Sequence, residues 1–591
     1  MRKLASAIAL MTPLLMASAL TPLHAAEMTF ERALNASKEP QNWLLYYGNY
    51  QGYRFSPLTA INTETVKNLR PVFAVALGGL QSGGRYAFGN LEGTPLVEDG
   101  IMYVTDGWGS VYAIDVSSGT RGMIKWKFDP GIDRAWAGDV ACCGVNNRGV
   151  ALWKDKVISI ALDGRMFELN KATGEKVWER KIADPALGET ITMAPLVVRD
   201  LAIVGPAGGE FGIRGFIDAT DLNTGKQVWR TYTIPGPGEP GHDTWKDGKD
   251  HWKHGGAPVW ETATYDAASN TIYQGVGNAG ADWDPQYRPG DNKWAASVLA
   301  LNPADGKIKW GFQYTPNDPF DFDEISEHPI IDAKVDGKER KLVVHAARNG
   351  FFYALDRTDG AFVAGKQYVD KLNWTTGLDP ETGLPANYDP KADVQAYSPG
   401  THGMRGQPMA TLCPSHFGAK NWEPTAYNPT LNRLYIPSVE GCDGLQTVAQ
   451  KDFADQGGTL KPRDRFSGGS FKMTGRLYGS LKAIDPTTGD IKAAVRLEFP
   501  NYAGALATAG NLVFLGQADG NFTAYDAKTL KQVWNFNVGT GINAPAISYS
   551  VNGKQYIAVL AGSRQSPFVM QSDPSLKFSS TTSMLFVFAL D

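Results

Sequence analysis

Cysteine and histidine are scarce in this chain, with 4 and 8 copies respectively. There is no Cys-x-x-Cys-His run, which excludes a covalently attached c-type haem. No His or Cys ligand cluster stands out either, which argues against zinc or copper. Charge is also thin: 20% of residues are charged and the net charge is -4, so no basic footprint offers itself to nucleic acid. No charge run marks a tail or a polybasic membrane patch. Beyond the N-terminus no stretch approaches about 20 apolar residues, so no membrane span is expected in the mature chain.

Residues 1–26 read as a secretory signal. Arg2 and Lys3 precede the apolar stretch 4–20, and small residues at Ala25 and Ala26 suit cleavage there. The expectation is a periplasmic protein whose mature part, 27–591, is one domain. The signal has no cysteine, which argues against a lipid-anchored lipoprotein. In an exported chain the even count of Cys142, Cys143, Cys413 and Cys442 invites disulfides, with three connectivities open. Cys413 and Cys442 suit a bond across one local hairpin or loop. Cys142 and Cys143 are adjacent and pair only by closing an eight-membered ring.

Glycine and tryptophan are plentiful, at 65 and 16 copies, and they recur in register. A short apolar run, an Asp or Asn, a turn that is often Thr-Gly, and a Trp-bearing strand repeat along the chain. The copies end at Trp126, Trp178, Trp229, Trp310 and Trp534, while Tyr353–Gly360 and Leu481–Asp490 lack the Trp. From Asn170, Asp221, Asn302 and Asp526 the interval to Trp is eight residues. Asp or Asn caps the turn locally, and Gly accepts positive φ. Each copy reads as two strands that cannot bury their faces alone, so the copies must stack. Counting the final VFALD as half a copy gives eight marks. The predicted fold is all-β: an eight-bladed propeller with one blade shared between the chain ends. Long insertions at about 231–258 and 365–420 are expected to build the ligand face. One short helix is expected from Phe30 to Lys38.

Oxygen donors cluster in the loops. Glu210 stands in the Gly-rich turn GGEFGIRG with Ala207, Gly208 and Gly209, where backbone can approach a flat ligand closely. A carboxylate there suits a hard cation, though a lone Glu is equally a solvated turn residue. Asn278 in GVGNAGADW offers an amide oxygen, or an ordinary Asx turn. Asp318, Asp321, Asp323 and Glu324 crowd into seven residues, a density that a bound cation would relieve.

These repeats, the double cysteine and the insertions together resemble the type I dehydrogenases that use pyrroloquinoline quinone (PQQ) to oxidise alcohols. The resemblance covers nearly the whole mature chain. It implies a vicinal disulfide Cys142–Cys143 over one face of PQQ and Trp260 under the other. It implies cofactor contacts from Glu92, Arg148, Thr192, the Ala207–Gly209 turn, Arg348, Asn421 and Tyr502. Ala207 departs from the Ser of many relatives, and Tyr502 from their Trp, which puts one hydrogen bond and the pocket shape in question. The metal ligands implied are Glu210, Asn278, Asp321 and Asp323. Asp323 matches the extra acid of lanthanide-dependent members, so a lanthanide is expected, with Ca2+ as the alternative. Asp321 is implied as catalytic base, and Arg348 beside it to stabilise charge on the quinone oxygen. The implied reaction is hydride transfer from a primary alcohol to metal-activated PQQ, with a cytochrome c as electron acceptor. Larger, aromatic or polyol substrates with calcium, and a non-enzymatic periplasmic scaffold, are the rival readings. A homodimer is left open.

Overall fold

A computed structural model describes residues 27–83, 89–135, 140–335, 337–452, 465–562, 573–578 and 582–591. The segment read as a signal lies outside the described residues. Thr29 caps a helix at Phe30–Leu34 by accepting from the Arg32 amide. A separate 3-10 turn follows at Ala36–Lys38, so the expected single helix breaks at Asn35.

Each repeat copy forms two adjacent antiparallel strands. Val111–Asp115 pairs with Met123–Phe128, Arg165–Asn170 with Lys176–Lys181, and Phe216–Asp221 with Lys226–Tyr232. Ser297–Leu301 pairs with Ile308–Gln313, and Asn521–Asp526 with Gln532–Asn537. In all five the register shifts just before the turn, an extra residue that sharpens the twist. The two copies without Trp, at Phe351–Asp356 and Tyr478–Ile484, show the same shift. Two further strands precede each pair. Among the described residues this makes eight sheets with at least four strands.

The Trp and the Gly of the repeat lock one sheet to the next. A Cβ on Gly174 would lie 2.5 Å from the Trp126 ring, one on Gly306 2.4 Å from Trp229, and one on Gly360 2.5 Å from Trp310. Each Trp thus presses on the turn of the following copy, where only glycine leaves room and where φ is positive. The indole N–H of Trp126 donates to the Lys171 carbonyl and that of Trp229 to the Pro303 carbonyl, in those same turns. Trp534 donates to the Leu69 carbonyl. That contact leads into the sheet which joins the chain ends: Leu69–Ala76 pairs antiparallel with Met584–Leu590. The C-terminal fragment of the repeat therefore finds its missing outer strand near the N-terminus.

Topology decides where the loops go. In a four-stranded antiparallel sheet, connections from strand two to three and from strand four to the next sheet leave from one end. The repeat turns leave from the other. Glu210 and Asn278 lie in second-to-third connections, after Leu201–Val204 and Thr271–Val276. Arg348 follows Lys338–Ala346 in the same way. Cys142, Cys143, Arg148, Asp321 and Asp323 lie in sheet-to-sheet connections after Met123–Phe128 and Ile308–Gln313. One face therefore gathers residues more than 200 positions apart. The insertion around 365–420 lies between sheets, and a second, unforeseen one interrupts the sheet that contains Arg433–Glu440. Ala410–Leu412, Asp443–Thr447 and Gly469–Met473 from these insertions form a small sheet of their own. The disulfide Cys413–Cys442 ties the two insertions together. No described helix is long and apolar enough to cross a membrane.

Candidate active site

The acidic run separates into two kinds of residue. Asp318 turns its carboxylate back on its own loop and accepts from the amides of Phe320 (3.0 Å) and Phe322 (2.8 Å). Glu324 accepts from the backbone amide of Arg348 at 2.9 Å and lies 2.8 Å from Nε2 of His345. These two are buried scaffolding. Asp321 and Asp323 point the other way, toward Arg348. Asp323 Oδ2 accepts from Arg348 Nη1 at 2.7 Å, and Asp321 Oδ2 is 3.6 Å from Nη2. Arg348 is itself held by the His416 carbonyl, to which Nε donates at 3.0 Å and Nη2 at 2.6 Å.

Asp321 has φ of +65°, the left-handed region that a non-glycine residue seldom occupies. Its Oδ1 is buried without a hydrogen-bond partner. A strained backbone that presents a bare buried carboxylate oxygen is a common mark of a functional residue.

The other oxygen donors meet this pair. Asn278 donates its backbone amide to Asp323 Oδ1 at 2.8 Å. Its side-chain Oδ1 faces the Gly208–Gly209 turn so closely that a Cβ on Gly209 would lie 2.4 Å away. Gly208, at φ +121°, has the Gly188 carbonyl 2.2 Å from where a Cβ would stand, so a side chain at Gly208 would move the turn and one at Gly209 would displace the Asn278 amide. Ala207 anchors that turn by donating to the Thr190 carbonyl at 2.6 Å. Glu210 follows, with Oε1 2.7 Å from Cys142 Sγ. Cys142 and Cys143 are disulfide-bonded to each other, so their sulfurs offer no thiolate to a metal. A fourth acid, Asp282, belongs to the same group and was not singled out from the sequence. Its signal was its place four residues after Asn278 in an otherwise small-residue loop.

Burial raises the pKa of Glu210, Asp282, Asp321 and Asp323, and each is pushed further up by at least one of the others or held down by Arg348. Asp282, Asp321 and Asp323 are buried and Glu210 is half-buried. Linked by mutual repulsion and offering oxygen with no nitrogen or thiolate, these acids suit a hard cation, while among the described residues the tight group of ligand-type atoms is Glu210 with the two disulfide sulfurs. Two of the acids carry a buried oxygen with no partner, Asp282 and Asp321.

A second polar cluster adjoins. Arg148 lies between two indoles, its guanidinium carbon 4.9 Å from the Trp260 ring centre and 4.7 Å from that of Trp422. It pairs with Glu92 at 2.9 Å and with Glu261 at 3.0 Å, and donates to Thr192 Oγ1 at 2.8 Å. Glu261, also missed in the sequence, is raised by burial to about 7 despite Arg148. The expected cofactor contacts Glu92, Arg148, Thr192 and Trp260 are thus brought together, and Arg148 already holds two carboxylates. Asn421 donates its side-chain amide to the Phe417 carbonyl at 3.3 Å. Tyr502 packs on the cluster of Phe417, Val439 and Leu477 and stands within electrostatic reach of Arg348. Ring-bearing walls, the glycine turn and Arg348 form surroundings suited to a flat anionic cofactor.

An all-β chain with its loops gathered on one face around buried oxygen donors and an arginine defines the class: a cofactor-dependent propeller. The profile of the PQQ-dependent glucose/ethanol/alcohol dehydrogenase β-propeller domain matches residues 43–367 and 473–557. The chain belongs to the PQQ-dependent alcohol dehydrogenase family and is an oxidoreductase. It is 38% identical over 563 residues to the quinoprotein alcohol dehydrogenase PedH of Pseudomonas putida, covering 91% of this chain and 89% of that protein. A europium-containing methanol dehydrogenase superposes with a TM-score of 0.84 at 32% identity, over 95% of this chain and all of that one. The quinohemoprotein alcohol dehydrogenase ADHIIG of Pseudomonas putida HK5 superposes with a TM-score of 0.86 at 32% identity, over 96% of this chain and 82% of that one.

Proposed function

We propose that the protein is an exported, periplasmic alcohol dehydrogenase that oxidises primary alcohols to aldehydes with PQQ and a lanthanide ion. Residues 1–26 are its signal peptide, and the mature chain is a single domain whose eight sheets are the eight blades. The observation that carries the reading is that Asp321 and Asp323 meet at Arg348, that the Asn278 amide joins Asp323, and that Glu210 stands within electrostatic reach of both acids.

PQQ, when bound, supplies the two-electron acceptor and the cation its Lewis acidity. Glu210, Asn278 and Asp321 would hold the cation, with Asp323 beside them. The Gly208–Gly209 turn, Thr192 and Trp260 would seat the cofactor, with Cys142–Cys143 opposite. Asp321 takes the hydroxyl proton of the alcohol at Oδ1, the oxygen that nothing else occupies. Arg348 keeps Asp321 and Asp323 oriented and helps to hold them ionised. Burial of Asp282, Asp321 and Asp323 keeps bulk water from the reacting alcohol. The two electrons leave singly to a cytochrome c, for which this chain provides no haem attachment motif.

Calcium is a second reading, and one contact favours it: both oxygens of Asp323 are engaged, by Arg348 and by the Asn278 amide. The deciding test is turnover of an alcohol panel, followed by dye reduction, after reconstitution with PQQ and either La3+ or Ca2+. Turnover with La3+ is expected. Turnover with Ca2+ alone would replace the lanthanide, and absence of PQQ binding with both metals would sink the enzyme reading.

A further inference from the structure

The loop Gly277–Arg288 contains two acids, Asp282 and Asp284, and they are treated differently. Asp284 is fully paired: Arg405 reaches its two oxygens at 3.0 and 2.7 Å, and the Gln450 amide donates at 2.8 Å. Asp282 is 1% exposed and has one hydrogen bond, from Asn278 Nδ2 to its Oδ1 at 2.7 Å. Its Oδ2 is buried with no partner. Arg288 and Arg465 stand within electrostatic reach of Asp282, but Arg288 gives its carboxylate no hydrogen bond. Arg288 spends Nε on the Ala281 carbonyl (3.1 Å) and Nη2 on the backbone carbonyl of Asp282 (3.1 Å). The loop backbone is clamped while the carboxylate is left for something else. Asp282 also stands within electrostatic reach of Asp321 and Glu210. A bare buried carboxylate oxygen beside two others of the same sign is costly unless a cation joins them.

We propose that Asp282 is a further anionic donor of the cation site: its Oδ2 is offered to the ion, and its Oδ1 holds the Asn278 amide with the oxygen facing the Gly208–Gly209 turn. The inference rests on reading this cluster as the cation centre and extends its ligand set. It also changes the charge balance. Glu210, Asp282, Asp321 and Asp323 bring four negative charges; Arg348 pairs with Asp323 and Arg465 stands within electrostatic reach of Glu210 and Asp282, so the charge of Asp282 keeps the site anionic despite two arginines. Affinity at oxygen sites follows the count of anionic ligands, so Asp282 favours a trivalent ion over a divalent one.

The test uses the full mature protein with PQQ and Tb3+ as probe. Tb3+ luminescence, excited through the protein's tryptophans, reports affinity, and its decay in H2O against D2O reports the number of bound waters. The variant D282N keeps an oxygen to accept from Asn278 Nδ2 and loses the charge. D282A removes both roles, and circular dichroism checks that each variant folds. E210Q is the reference for loss of an expected ligand. D282N is expected to bind Tb3+ at least about tenfold more weakly and to hold about one more water, with Ca2+ competition changed by less than about threefold. D282A is expected to fall further, because Asn278 is freed as well. If D282N and D282A match the wild type in affinity and hydration while E210Q loses Tb3+, the role of Asp282 is overturned and the cation site stands. If E210Q also binds Tb3+ unchanged, the cation reading falls and this inference with it.

Discussion

Replacing Arg148 with methionine is expected to strand two buried carboxylates. Arg148 is 2% exposed and pairs with Glu92 at 2.9 Å and Glu261 at 3.0 Å, which are 5% and 1% exposed. Methionine preserves much of the packing between Trp260 and Trp422, so the loss is mainly electrostatic. Removing one partner of a buried ion pair costs about 3–5 kcal/mol. The cost is tempered by protonation: Glu261 already titrates at about 7, with burial raising it and Arg148 lowering it, and without the arginine it rises further. A carboxyl whose folded pKa lies above its unfolded value keeps the extra proton in the folded state, so its contribution is full at low pH and is lost as pH rises. Above pH 7 the wild-type Glu261 is ionised and paired while that of R148M still needs its proton. The deficit therefore grows by roughly 1.4 kcal/mol per pH unit for each such carboxyl. The assay is thermal unfolding without PQQ or metal, at one fixed scan rate, at pH 5.5 and pH 8. R148M is expected to melt lower at both, with the larger gap at pH 8. Adding E92Q and E261Q to R148M is expected to recover much of the loss. A melting point for R148M equal to wild type at pH 8, or a triple variant no better than R148M, would show that Arg148 does not offset the two buried carboxylates.

Three further outcomes are expected. D321N keeps the size of the proposed base and removes its charge, and kcat is expected to fall about 100- to 10,000-fold while PQQ still binds, measured by absorbance titration; a drop under tenfold would reassign the base. His402 is buried with neither ring nitrogen partnered, and burial lowers it to about 4. Its unfolded form takes a proton near pH 6.5, so stability is full above that and is lost as pH falls toward 4, by up to about 3 kcal/mol. H402F is expected to flatten this acid limb in pH-dependent unfolding, and an unchanged limb would show that His402 does not cause it. C413S/C442S opens a loop with a sequence separation of 29 and is expected to cost roughly 3–4 kcal/mol, read as earlier unfolding or proteolysis of the insertions; equal resistance would mean that the small sheet holds them unaided.

The repeat was readable because its chemistry is local. An Asp or Asn, a turn Gly and a Trp at fixed spacing each answer to a nearby backbone, and the interval survives in Asn170–Trp178 as in Asp526–Trp534. What the Trp does, pressing on the next copy's glycine, needed the fold, because that contact crosses between sheets. The helix at Phe30 was foreseen but not its break at Asn35, since helix ends are set within one or two residues by local capping.

Residue types and their spacing were enough to establish an all-β chain of stacked repeats, the family it resembles, and the loops in which the acids lie. Composition and turn chemistry act within a few residues, so a linear reading captures them. Which oxygens face one another became visible in the folded chain alone. Asp318 and Glu324 stand beside Asp321 and Asp323 in the chain, yet they face their own loop and His345. Asp282 and Glu261 gave no motif of their own and become notable through partners: an Asn amide with one bare oxygen, and an arginine shared with Glu92. These choices depend on loops from separate sheets converging on one face. Burial then turns their charges from solvated side chains into a site that calls for a cation.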